Sequence, residues 1–355
     1  MNLKNYVLLI YGLVIISAGC KKNDERSNTK ESASELMGVD DGFQAKLTSI
    51  NTGYQAKQVI TIAGRAFERG FQDGKGSQAL FESPWGIEMT QEGTLLVCDP
   101  ANDKIRKVTT KGVVTPLNIP SAADGSNLLS PQYIRQGKDG TLAIKASEFK
   151  ARYWIVKPSG RSTVTTGTRN GYYGSLAKDP YTDYYYTFGL NIGTNNVLTG
   201  FLEKVLPSGQ IGVDAQDFPA SSLNGDENTR NPTITPLYVG YNKVKYMVVN
   251  GNHIYKLTPT GELKQLFTNF NFESSIDDLI ANKDSRTLYI ASGGSIYSIS
   301  NNKLMRLVGP NIAFDGRDGI GKDADVRAFN LALSNDENSL YFTDARYTVR
   351  KLILK

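Results

Sequence analysis

Three sets of residues have the types and spacing for chemistry. Gly74-Lys75-Gly76-Ser77-Gln78-Ala79 spells the G-x-G-x-x-A of a dinucleotide loop, which would hold a pyrophosphate on backbone N–H groups. Asp73 with the same glycines also offers the opening of a calcium loop. Asp99 and Asp344 are carboxylates suited to acid–base work, and His253 is the single imidazole. A dinucleotide loop needs a helix directly after it, but here Pro84 and an apolar strand-like run follow within a few residues. A calcium loop needs several oxygen ligands in close register, and each glycine hook carries one Asp. Asp99 and Asp344 each close an apolar run, with Asn102 or Asn252 in the turns that follow such runs. Bonding the backbone of a turn is what Asp and Asn commonly do there, and His253 sits in such a turn too. One histidine excludes a histidine-cluster metal site. The sequence therefore predicts no catalytic residue, no metal and no cofactor.

The elements that must position these residues recur at a fixed period. Strand-like runs end in a glycine turn at Gly112, Gly160, Gly209 and Gly261, spaced by 48, 49 and 52 residues. A degenerate copy, IYSISNNK, follows near Asn302, and the chain closes on VRKLILK. Short apolar strands precede several of them, such as TLLVCD (94–99), TLAIKA (141–146) and SLYFTD (339–344), and WGIEM (85–89) and QYIRQ (132–136) precede some of these in turn. Even spacing with Gly, Asn, Asp and Pro turns predicts an all-β repeat fold, with no useful helix after residue 58. Four strands in about 49 residues is the size of a propeller blade. DGKGSQALF (73–81) matches DGIGKDADV (318–326) without a gap, 245 residues apart, and the same offset carries Leu95 onto Leu340 and Asp99 onto Asp344. Five repeats separate the copies, so six blades fit residues 58–355.

The run from QVITIAG through DGKGSQALFESPWGIEMTQEGTLLVCDPANDKIRKVTTKG resembles an NHL-repeat β-propeller of the bacterial, often lipoprotein, type. The pattern is matched strongly at 59–117, fairly at 309–354 and at 246–263, while the copies over 130–230 have drifted. The resemblance implies a six-bladed propeller of four-stranded antiparallel blades. It also implies that the strand near 59–64 joins the last blade and closes the ring.

The N-terminus reads as an export signal. Lys4 precedes the apolar run YVLLIYGLVII (6–16), and Ser17-Ala18-Gly19 leads into Cys20. This resembles a lipobox, although Ser17 stands where the pattern prefers Leu. Residues 1–19 are read as a lipoprotein signal peptide, Cys20 as the lipid attachment site, and 20–57 as a polar flexible tether. Asp24-Glu25 resembles a surface-export signal of Bacteroidetes lipoproteins. These readings imply an outer-membrane lipoprotein held to the membrane through its N-terminal lipid. Cys98 then remains as a lone thiol inside TLLVCDP, a small buried hydrophobe. The net charge of +5 falls to +4 without residues 1–19, and no basic run suggests nucleic acid.

GYYGSLAKDPYTDYYYTF (171–188) gathers six tyrosines and a phenylalanine, and Tyr joins a flat apolar face to a hydroxyl. Residues opening an innermost propeller strand face the central channel, where ligands usually bind. The repeat frame assigns Trp85, Gln132, Tyr133, Arg135, Tyr181 and Asp277 to that set. The function expected is non-catalytic binding or scaffolding, with a glycan, peptide or envelope protein as partner. The alternatives are a propeller enzyme of lyase or lactone-hydrolase type acting at the channel mouth, and a purely structural envelope protein.

Overall fold

The computed structural model describes residues 53–54, 57–146, 151–192, 198–219, 234–267, 272, 274–301 and 303–355. Cys20, the signal and most of the tether lie outside them. The described chain is all-β, with only two three-residue 3-10 turns, Pro100–Asn102 and Gly321–Asp323.

Six antiparallel sheets form the six blades. Their innermost strands are Ile87–Met89, Pro131–Gln136, Gly171–Lys178, Ile234–Val239, Ile276–Ala281 and Ala328–Leu333, for blades 1 to 6 in order. Each innermost strand touches the next, and blade 6 touches blade 1, so the ring is closed. Six apolar clusters fill the six gaps between blades. In blade 6 the second strand, Ser339–Asp344, is buried at every residue because blades cover both its faces. That is why such strands read as unbroken apolar runs, whereas the outer Val113–Leu117 alternates toward solvent.

The predicted closure is present. Gln58–Gly64 pairs antiparallel with Thr348–Ile353, with Val59 opposite Leu352 and Gly64 opposite Thr348. Its other edge is taken by Gly319–Ile320, from the second glycine hook. The first hook does the same in blade 1, where Gly74–Lys75 pairs with Val113–Val114. Both hooks thus cover the outer edge of a blade, an edge that would otherwise be open to pairing. Strand pairing also begins before residue 58, since Gly53–Tyr54 runs parallel to Met305–Arg306 on blade 5.

The turn glycines meet a real constraint at Gly112. Its φ is +79°, and an added Cβ would stand 2.1 Å from the Ile62 carbonyl.

Candidate functional site

The innermost strands run from one face of the ring, here the leading face, to the other, the trailing face. On the trailing face a cavity of about 120 Å³ opens at the axis, and every blade lines it: Glu88, Arg135, Lys178, Tyr238, Ile280 and Leu331 in blade order. Such a cavity has room for several waters or one small ring.

Glu88 organises its floor. Its Oε1 lies 2.5 Å from Lys178 Nζ and its Oε2 3.8 Å from Arg135 Nη1. Arg135 also donates to the carbonyls of Ile134 (2.9 Å) and Ile87 (3.2 Å), so blades 1, 2 and 3 are joined across the mouth. Glu88 and Arg135 are buried, and their mutual pairing satisfies charges that burial would otherwise penalise.

The strands beneath are irregular in a repeated way. The innermost strands of blades 2 to 6 each carry a register shift. A shift frees a backbone donor, and in two blades the preceding blade accepts it. Leu237 N–H donates to Ser175 Oγ (2.6 Å), and Leu331 N–H donates to Asp278 Oδ2 (2.8 Å). Burial pushes the Asp278 carboxyl up to about 6, opposed by Arg135 and by the two N–H groups it accepts. Its neighbour Asp277 is pushed up to about 7, by burial first and by the Asp278 charge second.

The six residues assigned from the repeat frame do not share one place. Arg135 lines the trailing mouth. Tyr181 does not open an innermost strand: it lies in the turn after Gly171–Lys178 and before Tyr185–Ile192, on the rim of the same mouth. It is 47% exposed, donates its hydroxyl to the Tyr241 carbonyl, and meets the Tyr241 ring edge-to-face at 6.1 Å. Tyrosines stand in both strands and in the turn of this drifted blade, so their positions alone could not mark the boundary.

Trp85 and Gln132 stand toward the leading face. Trp85 packs on Phe329 (4.9 Å), and its carbonyl accepts Thr343 Oγ1 (2.8 Å). Gln132 accepts the fully buried Lys145 ammonium (2.9 Å). Tyr133 is buried in the core between blades 2 and 3, with its ring 5.4 Å from Lys145 Nζ. Asp277 sits at the register shift of blade 5.

Sequence reasoning passed over Glu88, Lys178, Tyr238 and Asp278. One signal was available, because a carboxylate inside an apolar strand, as in WGIEM or IDDLIA, is out of pattern unless it is paired.

The glycine hooks and the strand-end aspartates serve the scaffold. In the first hook, Gly76 N–H donates to the Gly112 carbonyl (2.9 Å), and Asp73 pairs with Arg106 (2.6 Å). Asp99 accepts Ser83 N–H (2.8 Å) and Asn102 Nδ2 (2.8 Å), and Asp344 accepts Arg327 N–H (2.9 Å) and Arg346 N–H (2.9 Å).

The fold has many solved counterparts. An auxiliary nutrient binding protein from Bacteroides ovatus matches at 12% identity and TM-score 0.61, over 84% of this chain and 76% of that one. A second auxiliary nutrient binding protein, from Bacteroides thetaiotaomicron, matches at 13% identity and TM-score 0.58, over 84% and 77%. A gluconolactonase from Xanthomonas campestris matches at 8% identity and TM-score 0.53, over 86% and 97%. At these identities the likeness is one of fold, and the same fold carries binders and enzymes. No protein-family model matches the chain, and no curated protein matches it in sequence.

Proposed function

We propose that the chain is an NHL-like envelope lipoprotein, lipidated at Cys20, which binds a glycan or polypeptide at the trailing mouth of its channel without transforming it. The observation that carries this is the composition of the mouth. An exposed tyrosine pair flanks a polar cavity whose one buried carboxylate, Glu88, is already tied to Lys178 and Arg135. A carboxylate held between two cations is engaged in shaping the surface of the mouth. The nutrient-binding description of two structural neighbours agrees with this reading. Equilibrium binding to arrays of glycans and peptides tests it, with Tyr181→Ala as the matched variant. Binding that Tyr181→Ala abolishes supports it, and no binding to either array sinks it.

One observation favours a propeller enzyme instead. A carboxyl pushed up to about 7, as at Asp277, is poised for general acid–base work. Lactone hydrolysis lost in Asp277→Asn would establish that reading.

A further inference from the structure

We infer that the protein rests its leading face on the lipid surface that holds its anchor, with Phe67, Phe71, Ile312 and Phe314 inserted at the headgroup boundary. The inference extends the reading of a chain lipidated at Cys20. These residues stand in two loops, 65–72 and 311–318, which follow the outer strands Gln58–Gly64 and Lys303–Val308. The loops lie at the leading face, against turns that join second strands to third. Phe67 N–H donates to the Arg346 carbonyl (3.2 Å), and Asn102 Nδ2 donates to the Gly70 carbonyl (3.2 Å). The three phenylalanines are half-exposed and Ile312 is fully exposed.

A built platform holds the rings. Asp325 is fully buried and accepts Arg346 Nη2 on both its oxygens (2.8 Å each). It also accepts the N–H groups of Asn311 and Gly316 (2.9 Å each), which fixes the base of the second loop. The Arg346 guanidinium lies 5.6 Å from the Phe67 ring and 5.0 Å from the Phe314 ring, and the two rings are 6.0 Å apart. Both phenylalanines have a left-handed backbone, with φ of +66° and +51°, which bulky residues rarely adopt. Gly or Asn would close these turns with less strain, so a ring held there is held for what it presents.

Charge and chain length identify the occupant. Arg65 pairs with Glu68 (2.5 Å), Arg317 with Asp315 (3.0 Å) and Arg69 with Glu82 (4.0 Å), while Asp73 and Asp318 bond Arg106 and Arg350. Exposed Lys322 and Asp323 follow in the next turn. Charges of both signs thus accompany the patch, and what it offers a partner is apolar surface. Ile312 is an uncovered knob, which suits a deformable apolar medium. The Arg327 guanidinium, 4.5 Å from the Phe314 ring, can stay among headgroups while the ring enters below them. Cys20 and Gly53 are 33 residues apart, so the fold cannot stand more than about 115 Å from an anchored lipid. Gly53–Tyr54 pairs with Met305–Arg306, on the strand that leads into the Ile312 loop. A propeller lying on its leading face turns the trailing mouth away from the bilayer.

The test is co-sedimentation of the mature chain carrying Cys20→Ser, so that no lipid of its own contributes. The probes are phosphatidylcholine vesicles and mixed phosphatidylethanolamine–phosphatidylglycerol vesicles, each at low and high salt. Both should bind the chain, with partitioning that survives high salt. Partitioning should fall at least about tenfold in Phe67→Asn/Phe314→Asn and at least about threefold in Ile312→Ser. The double variant should keep or raise the melting temperature, because Asn takes the left-handed backbone more readily than Phe. Ile312→Ser reads the binding independently, since its side chain is fully exposed. Tyr181→Ala should leave vesicle binding unchanged. Absence of binding to either vesicle overturns the inference. Binding confined to anionic vesicles, lost at high salt and unchanged in both patch variants, overturns it as well. Self-association without vesicles, lost in the double variant, overturns the lipid surface in favour of a second copy of the chain. Mass spectrometry of the mature N-terminal peptide tests the Cys20 reading separately, so failure of one is distinguished from failure of the other.

Discussion

Arg350 reaches Asp318 at 2.8 Å, and Arg106 reaches Asp73 at 2.6 Å. In both cases an arginine on the third strand of a blade passes under a glycine hook and bonds the Asp that opens it. Each also donates to the carbonyl just before that Asp, Arg317 in one hook and Gln72 in the other. The aspartate shared by the two DGxG copies is thus the latch that fastens a hook to its blade.

The two halves of that latch differ in exposure, so their removal should differ in cost. Arg350 is buried and also bonds Asp344 (3.1 Å) and the Asp325 carbonyl (2.7 Å). Arg350→Met strands a buried carboxylate and should cost about 3–5 kcal/mol of unfolding free energy. Asp318 is partly exposed, and Asp318→Ala should cost only about 1–2 kcal/mol. Denaturant titration of both variants checks the order, and a larger loss for Asp318→Ala would refute it.

Closure of the ring makes an equally direct prediction. Deleting residues 58–64 removes the outer strand of blade 6 and the partner of the second hook. Blade 6 then has an open edge and its cluster with blade 5 loses Val59. Calorimetry should show the single cooperative transition replaced by a broad, low-temperature one. An unchanged melting profile would mean that closure contributes nothing.

Asp277 should make stability fall as pH rises. Its carboxyl is pushed up to about 7 in the folded chain against about 4 in an unfolded one, so the folded state holds the extra proton between those values. Stability from this group is full below about pH 4 and is lost as pH climbs through 7. Asp277→Asn should flatten that fall and stabilise the protein at pH 8 by on the order of 1–2 kcal/mol. Melting curves from pH 4 to 8 decide it, and a wild-type slope in the variant counts against it.

Trp85 and Tyr181 should separate cleanly under substitution. Trp85→Ala removes the ring that packs on Phe329 and should lower the melting temperature by several degrees while ligand affinity at the trailing mouth is kept. Tyr181→Ala removes a half-exposed ring at the mouth and should leave the melting temperature within about 2 °C. Affinity lost in Trp85→Ala but kept in Tyr181→Ala would move the site to the leading face.

The buried Cys98 thiol should be inert. Desolvation raises its pKa well above the ordinary thiol range, which leaves almost no thiolate. Iodoacetamide should label it only after denaturation, and rapid labelling of the native chain would contradict its placement.

The sequence by itself determined the architecture. Blade count and the strands of each blade follow from short-range patterns, because each repeat needs the same turns and the same buried strand, and ring closure follows from the family resemblance those repeats carry. Gly112, Asp73 and Asp318 are legible for that reason, each being tied to its own blade or its neighbour. What only the tertiary structure decided is which side chains meet at the axis. Glu88 and Lys178 are 90 residues apart and pair across three blades, and Leu331 takes its acceptor, Asp278, from another blade. Such contacts arise where six strands converge, and no local period records them. The repeat frame accordingly found residues near the channel, yet it could not tell the leading face from the trailing one. A one-residue register shift or a displaced turn reassigns a side chain while leaving the apolar pattern intact.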